Sequence, residues 1–173
     1  MILSNTFPVG GIFPRDRKSG TRSKEIWNAI LPARCIVPMV QHDGPPARVQ
    51  VSAGDRVREG MRIGKAPSKE GAHVHAPVPG TVVEVKEIFL VGGVKSVAVT
   101  IDLAGEFDRL GKESPVHEWR RLPVSRLLEE IAERGVVGMG GYGIPTAHKY
   151  RQRRGQSIRT LIVNGAESEP YRT

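Results

Sequence analysis

Four glycines in six positions, Gly138, Gly140, Gly141 and Gly143, run directly into Ile144-Pro145-Thr146 and then reach Lys149. Glycine leaves backbone N–H groups uncovered and lets a ligand approach without meeting a Cβ atom, so this run is suited to cradling an anion, above all a phosphate. Pro145 and Thr146 are apt openers for a short helix through Lys149, since proline is tolerated in a first helical turn. The loop then aims a helix N-terminus and a mobile ammonium at the same anion. The run also matches Gly-x-Gly-x-x-Gly, but that fingerprint requires a preceding strand. Here a helical pattern precedes it, followed only by Val136 and Val137. A standard Rossmann dinucleotide site is therefore not expected, and a glycine loop that merely permits close packing is the plainer alternative.

A second polar group, Asn164-Gly165-Ala166-Glu167-Ser168-Glu169-Pro170-Tyr171, follows the apolar run Thr160-Leu161-Ile162-Val163. The run reads as a buried parallel strand, and the carboxylates fall just beyond its C-terminal end, the edge where open α/β sheets receive ligands. Taken alone, paired glutamates in a loop are more often solvated than functional.

Metal chemistry finds less support. The single cysteine, Cys35, excludes an intrachain disulfide and any site built from several thiolates, and it points to a reducing compartment. Its apolar surroundings, Cys35 to Val40, describe an inert, buried thiol. His73 and His75 fall on one face of a strand, but no cysteine or carboxylate stands at ligand spacing, so they read as polar hairpin residues and no metal site is expected. Lys149, Arg151, Arg153, Arg154 and Arg159 make a basic cluster with poor aromatic interleaving and no nucleic-acid-binding signature. It suits cofactor phosphates, acidic subunits or anionic lipid better than nucleic acid.

These residues need a scaffold. Pro123 to Gly135 places Leu127, Leu128, Ile131 and Ala132 on one helical face, with Gly135 where a C-terminal cap belongs. Upstream, residues 35–102 alternate short β-branched runs (Val49 to Val51, Thr81 to Val85, Val97 to Ile101) with Gly, Pro and Asp turns, the pattern of an all-β module. Val57, Met61 and Ile63 are available for one buried face there, with glycines at positions 54 and 60 for tight turns. Residues 1–34 read as an irregular N-terminal arm with a helical piece around Lys24 to Leu31, and 103–122 as a linker. The chain of 173 residues carries a formal charge of +8, which suits anionic partners, and its apolar runs are too short for a membrane span or a signal peptide.

The phrases Val51 to Gly64 and His75 to Val85 resemble the turns of biotinyl and lipoyl domains, the barrel-sandwich hybrid fold, with the two halves swapped. No lysine has the neighbours of a biotin or lipoyl attachment site, so no tethered group is expected. A wider likeness then emerges. Gly10-Gly11-Ile12-Phe13-Pro14, Gln41-His42-Asp43-Gly44-Pro45-Pro46-Ala47, the Gly-Asp turn at 54–55, His75-Ala76-Pro77 with Gly80-Thr81-Val82, the glycine loop and Asn164 to Tyr171 follow the order seen in the RnfC family, the C-type subunits of Rnf electron-transport complexes. The last two motifs also resemble the flavin- and NADH-binding subunit of respiratory complex I.

That resemblance implies an α+β chain, a barrel-sandwich hybrid module followed over 123–173 by the beginning of an α/β flavin/NADH-binding domain. It implies that Gly138, Gly140, Gly141, Gly143 and Lys149 contact the phosphate of FMN or a nucleotide, while Asn164, Glu167 and Glu169 line the ring site with NADH. Its implied setting is a peripheral subunit on the cytoplasmic face of the cell membrane, among the other subunits of an ion-translocating complex that moves electrons between NADH or ferredoxin and a membrane partner. Family members commonly have cysteine where Ser168 stands, and they continue into a portion bearing the cysteines of two 4Fe-4S clusters, so this chain reads as the N-terminal part of such a subunit. A non-catalytic docking or assembly module without its own cofactor is the competing reading.

Overall fold

A computed structural model describes residues 18–27, 30–41, 44–107, 118–139, 143–151 and 158–163. The chain divides into two units, Leu31–Gly155 and a second made of Met1–Ile30 with Gln156–Thr173.

Among its described residues the larger unit is built on seven antiparallel strands in two small sheets. One sheet has the order β1-β7-β6-β3, from Arg34–Pro38, Lys95–Leu103, Gly80–Phe89 and Arg56–Val57; the other has the order β2-β4-β5, from Arg48–Val49, Arg62–Lys65 and Val74–His75. β-Branched residues at alternate positions decide which face of each strand turns inward. Cys35 and Val37 lie opposite Ile101 and Val99, and Val82 also lies opposite Ile101, so one face of the first sheet is continuous apolar surface. Ile63 and Val74 of the second sheet close over it with Val57 and Met39, and Met61 packs at the margin. The predicted module and its inward residues Val57, Met61 and Ile63 are therefore found. Gly64 and Gly80 allow the sheets and turns to close up: a Cβ on Gly80 would collide with the Asp102 carbonyl, and one on Gly64 with Sδ of Met39. Arg34 grips Asp102 with two nitrogens across the β1–β7 register, which holds that carboxyl below the usual carboxylate range.

After the β module a 3-10 turn at Trp119–Arg121 leads into helix α1, Val124–Glu133. Its end is a complete Schellman turn: Gly135 adopts φ 63°, its N–H donates to the Ala132 carbonyl at 3.0 Å, and the Val136 N–H donates to Ile131 at 3.4 Å. Glycine is needed at 135 for a second reason, because a side chain there would strike the carbonyl oxygen of His73 on the β module.

The helix is clasped to the module beside that contact. Glu133 accepts a bond from Nη1 of Arg62 at 2.8 Å and lies 3.7 Å from Nε2 of His73, while Arg62 also donates from Nε to Gln50 at 3.0 Å. His73 accepts the Ala66 N–H on Nδ1 at 3.0 Å, a bond that requires an unprotonated Nδ1. Burial lowers the pKa of both His73 and His75; for His73, Arg62 and Lys65 add to the fall and Glu133 opposes it, and for His75 the Glu133 backbone opposes it.

Two expectations are corrected. Residues 24–27 are irregular and not helical, with Ile26 and Trp27 exposed. Residues 158–163 form no strand, and Leu161, Ile162 and Val163 lie open to solvent. The physical reason is common to both: an apolar run becomes a helix or strand when a packed face or a ladder partner repays the ordering entropy, and no described residue pairs with 160–163. Both segments belong to the smaller unit.

Replacing Gly80 by alanine is expected to destabilise the larger unit by about 1–3 kcal/mol through overpacking, read in a urea titration. Gly20→Ala, where a Cβ would meet nothing within 4 Å, serves as the unaffected control. The histidines set a pH dependence. Their folded pKa values lie below the ordinary 6.5, so below that pH the unfolded chain takes up protons that the folded chain refuses. Stability is then full above about pH 6.5 and falls as the pH drops from there toward the depressed folded values. His73→Gln, which keeps an acceptor for Ala66, is expected to flatten that fall in denaturation midpoints measured between about pH 7 and 5.

Candidate functional site

The glycine loop is carried on the end of this docked helix. From Val136 the backbone turns into a narrow hairpin-like closure: Val137 bridges Pro145 in antiparallel fashion, the Gly138 N–H donates to Ile144 at 2.9 Å, and the Thr146 N–H donates to Val136 at 2.9 Å. Gly138 and Ile144 are therefore pinned together at the two ends of the glycine run. The chain leaves it through α2, Thr146–Lys149, where the His148 and Lys149 N–H groups both donate to the Pro145 carbonyl, at 3.0 and 3.3 Å. This is the helix opening expected from Pro145-Thr146. The element before the loop is the helix α1, so the strand that a Rossmann fingerprint needs is not there.

Lys149 is the polar group that the turn brings to the loop. A Cβ on Gly138 would overlap its Nζ atom, so the ammonium occupies the place that any larger residue at 138 would take. Gly143 at the far end has φ 56°, left-handed backbone at the exit of the loop. The loop glycines 138 and 143 and Lys149 are thus gathered at one place. Gly140 and Gly141 lie outside the described residues, as do Asn164, Glu167 and Glu169. His148 is exposed beside Lys149, and Arg151 stands at the end of the turn.

A glycine that leaves room for an ammonium and an exposed lysine are two of the parts a phosphate needs, steric access and a compact cation. The residues present therefore fit the phosphate end of a flavin nucleotide. When such a cofactor is bound, it supplies the step between two-electron hydride and single-electron chemistry; the protein holds and orients it. Cys35 takes no part, since burial against the core raises its pKa and disfavours the thiolate. No group of three or more His, Cys, Asp or Glu side chains suited to a metal occurs among the described residues, and none of their helices is long and apolar enough to cross a membrane.

Sequence reasoning missed the residues that position the loop. His73 and His75 were legible only as polar hairpin residues and Arg62 drew no reading, yet with Glu133 they fix the end of α1 from which the loop departs. Periodicity carries no signal for such a cluster, because its members lie on elements that meet only after folding.

Comparison with known proteins agrees with this anatomy. The family model for the RnfC barrel-sandwich hybrid domain matches residues 6–106, and the model for the Nuo51 FMN-binding domain matches residues 131–173. The chain is 34% identical over 164 residues to the C-type subunit of a proton-translocating ferredoxin:NAD(+) oxidoreductase complex from Clostridium ljungdahlii, covering 95% of this chain and 36% of that protein. It is 37% identical over 173 residues to the C-type subunit of an ion-translocating oxidoreductase complex from Pseudomonas aeruginosa, covering 99% of this chain and 22% of the relative. For the corresponding protein of Rhodobacter capsulatus the identity is 36% over 166 residues, with 95% and 32% covered. The chain thus spans roughly a fifth to a third of the length of these relatives. With two antiparallel sheets closed over one core and a domain match across more than half its length, the chain belongs to the RnfC family.

Proposed function

We propose that this chain is the flavin-anchoring N-terminal part of a peripheral electron-transfer subunit in an ion-translocating oxidoreductase complex exchanging electrons between NADH and a ferredoxin-type partner. In this reading Gly140, Gly141 and Gly143 offer main-chain donors to the FMN phosphate, Gly138, whose N–H is taken by Ile144, gives the phosphate and the ammonium steric access, and Lys149 neutralises the charge. Asn164, Glu167 and Glu169 line the flavin ring and the approaching nicotinamide. The β module over 35–102 and the linker over 103–122 present the 123–173 segment to the rest of the assembly on the cytoplasmic face of the membrane. One cysteine cannot ligate a 4Fe-4S cluster, so any such clusters are expected in the cysteine-bearing C-terminal portion of the family's chain.

The observation that carries this reading is the placement of the Lys149 ammonium against Gly138 at the mouth of a pinned loop. Lys149 is exposed with its ammonium beside the glycine run, and a phosphate is a partner that fits its charge there.

Titration of the chain with FMN, followed by quenching of flavin fluorescence, is expected to saturate. Lys149→Ala removes a charge-assisted bond of about 1.5–3 kcal/mol and is expected to weaken binding roughly 10- to 100-fold. Gly140→Asp, which sets a carboxylate in the loop, should abolish it. Unquenched fluorescence throughout the titration would favour a docking module without a cofactor.

A further inference from the structure

On the other side of α2 lies a cleft that the flavin reading does not use. It has a volume of about 280 Å³ and runs between the β4–β5 loop of the β module and the two helices. Its floor is apolar, formed by Leu128 and Ala132 of α1 together with Ala147 of α2. Lys65 at the end of β4, Lys69 from the β4–β5 loop and Arg151 just beyond α2 are exposed and line it. Ala147 and Arg151, four residues apart, share the side of the turn that faces the cleft, whereas Lys149 reaches the opposite way to Gly138.

The charges at the rim do not cancel locally. Of the two carboxylates lining the cleft, Glu133 is taken by Arg62 at 2.8 Å and Glu129 by Arg126 at 3.3 Å. Among the described residues no carboxylate lies within ion-pair distance of Lys65, Lys69 or Arg151. Three unpaired cations around an apolar floor call for a ligand with about two negative charges at one end and a flat hydrophobic body at the other, and a phosphomonoester carries about −1.5 to −2 at neutral pH. The volume sits just below the roughly 300–1,000 Å³ of pockets for drug-sized ligands, enough for one ring system and its phosphate and too small for a dinucleotide.

We propose that this cleft binds a nucleoside-monophosphate-sized phosphomonoester, its ring on the floor of Leu128, Ala132 and Ala147 and its phosphate among Lys65, Lys69 and Arg151. Such a ligand bridges the β module and the helices that carry the glycine loop, so its occupancy braces the loop without entering it. The site is separate from the flavin site and stands whether or not FMN binds.

Calorimetric titration of the full chain with AMP tests it, with adenosine and inorganic phosphate as separate arms. AMP is expected to bind saturably and more tightly than either part alone. The Lys65→Ala/Lys69→Ala double variant is expected to lose at least about tenfold in AMP affinity, with its thermal melt and FMN titration unchanged. Lys149→Ala should leave AMP binding intact. The proposal is overturned by an absence of AMP binding, by equal AMP affinity in the double variant, or by phosphate binding as tightly as AMP. AMP binding that competes with FMN and is lost in Lys149→Ala overturns it too, since that result assigns the nucleotide to the glycine loop.

Discussion

The geometry of the glycine loop rests on the contact between Gly135 and the carbonyl of His73. Helix α1 has no residue fully buried along its length, so its orientation is not fixed by an enclosing core. It is fixed at its C-terminal end, where a left-handed glycine lets the main chain lie directly on the β4–β5 hairpin and where Glu133 reaches Arg62 and His73. The exposed ion pair contributes modestly in energy, about 0–1 kcal/mol for such groups, but it is directional. The close backbone approach contributes specificity, because no other residue type fits.

From that point the route to the candidate site is short. Gly135 ends the helix, Val136 and Val137 enter the closure, and Pro145 and Thr146 tie the far end back, so few residues with rotational freedom separate the rigid β core from the loop at 138. A phosphate cradle works when its donors are held in place before the ligand arrives, since the ordering entropy is then not charged against binding. The β module is thus a mechanical base for the loop as well as a folded domain in its own right. The same arrangement leaves the cationic cleft on the reverse side of α2, with one wall from each partner in the clasp.

Much of the architecture was legible because it depends on local rules. The three- and four-residue spacing of Leu127, Leu128, Ile131 and Ala132 specifies one helical face, and Gly135 marks its end whatever surrounds it. Alternating Val37, Val99 and Ile101 specify strands with one inward face, and glycine and proline turns place their ends. The apolar character of Ile26, Trp27 and residues 161–163 was equally visible but misled, because hydrophobicity says that a segment profits from burial and not that a partner is at hand.

By itself the sequence determined the β module, the helix with its cap, and a glycine loop followed by a lysine, since each follows from covalent geometry and short-range periodicity. Only the tertiary structure decided that the ammonium of Lys149 lies over Gly138, that two histidines and an arginine of the module hold the end of α1, and that Lys65, Lys69 and Arg151 surround a single cleft. Those groupings join residues up to 86 positions apart, as from Lys65 to Arg151, and contacts at such separation are set by how the sheets and helices pack and not by any local pattern.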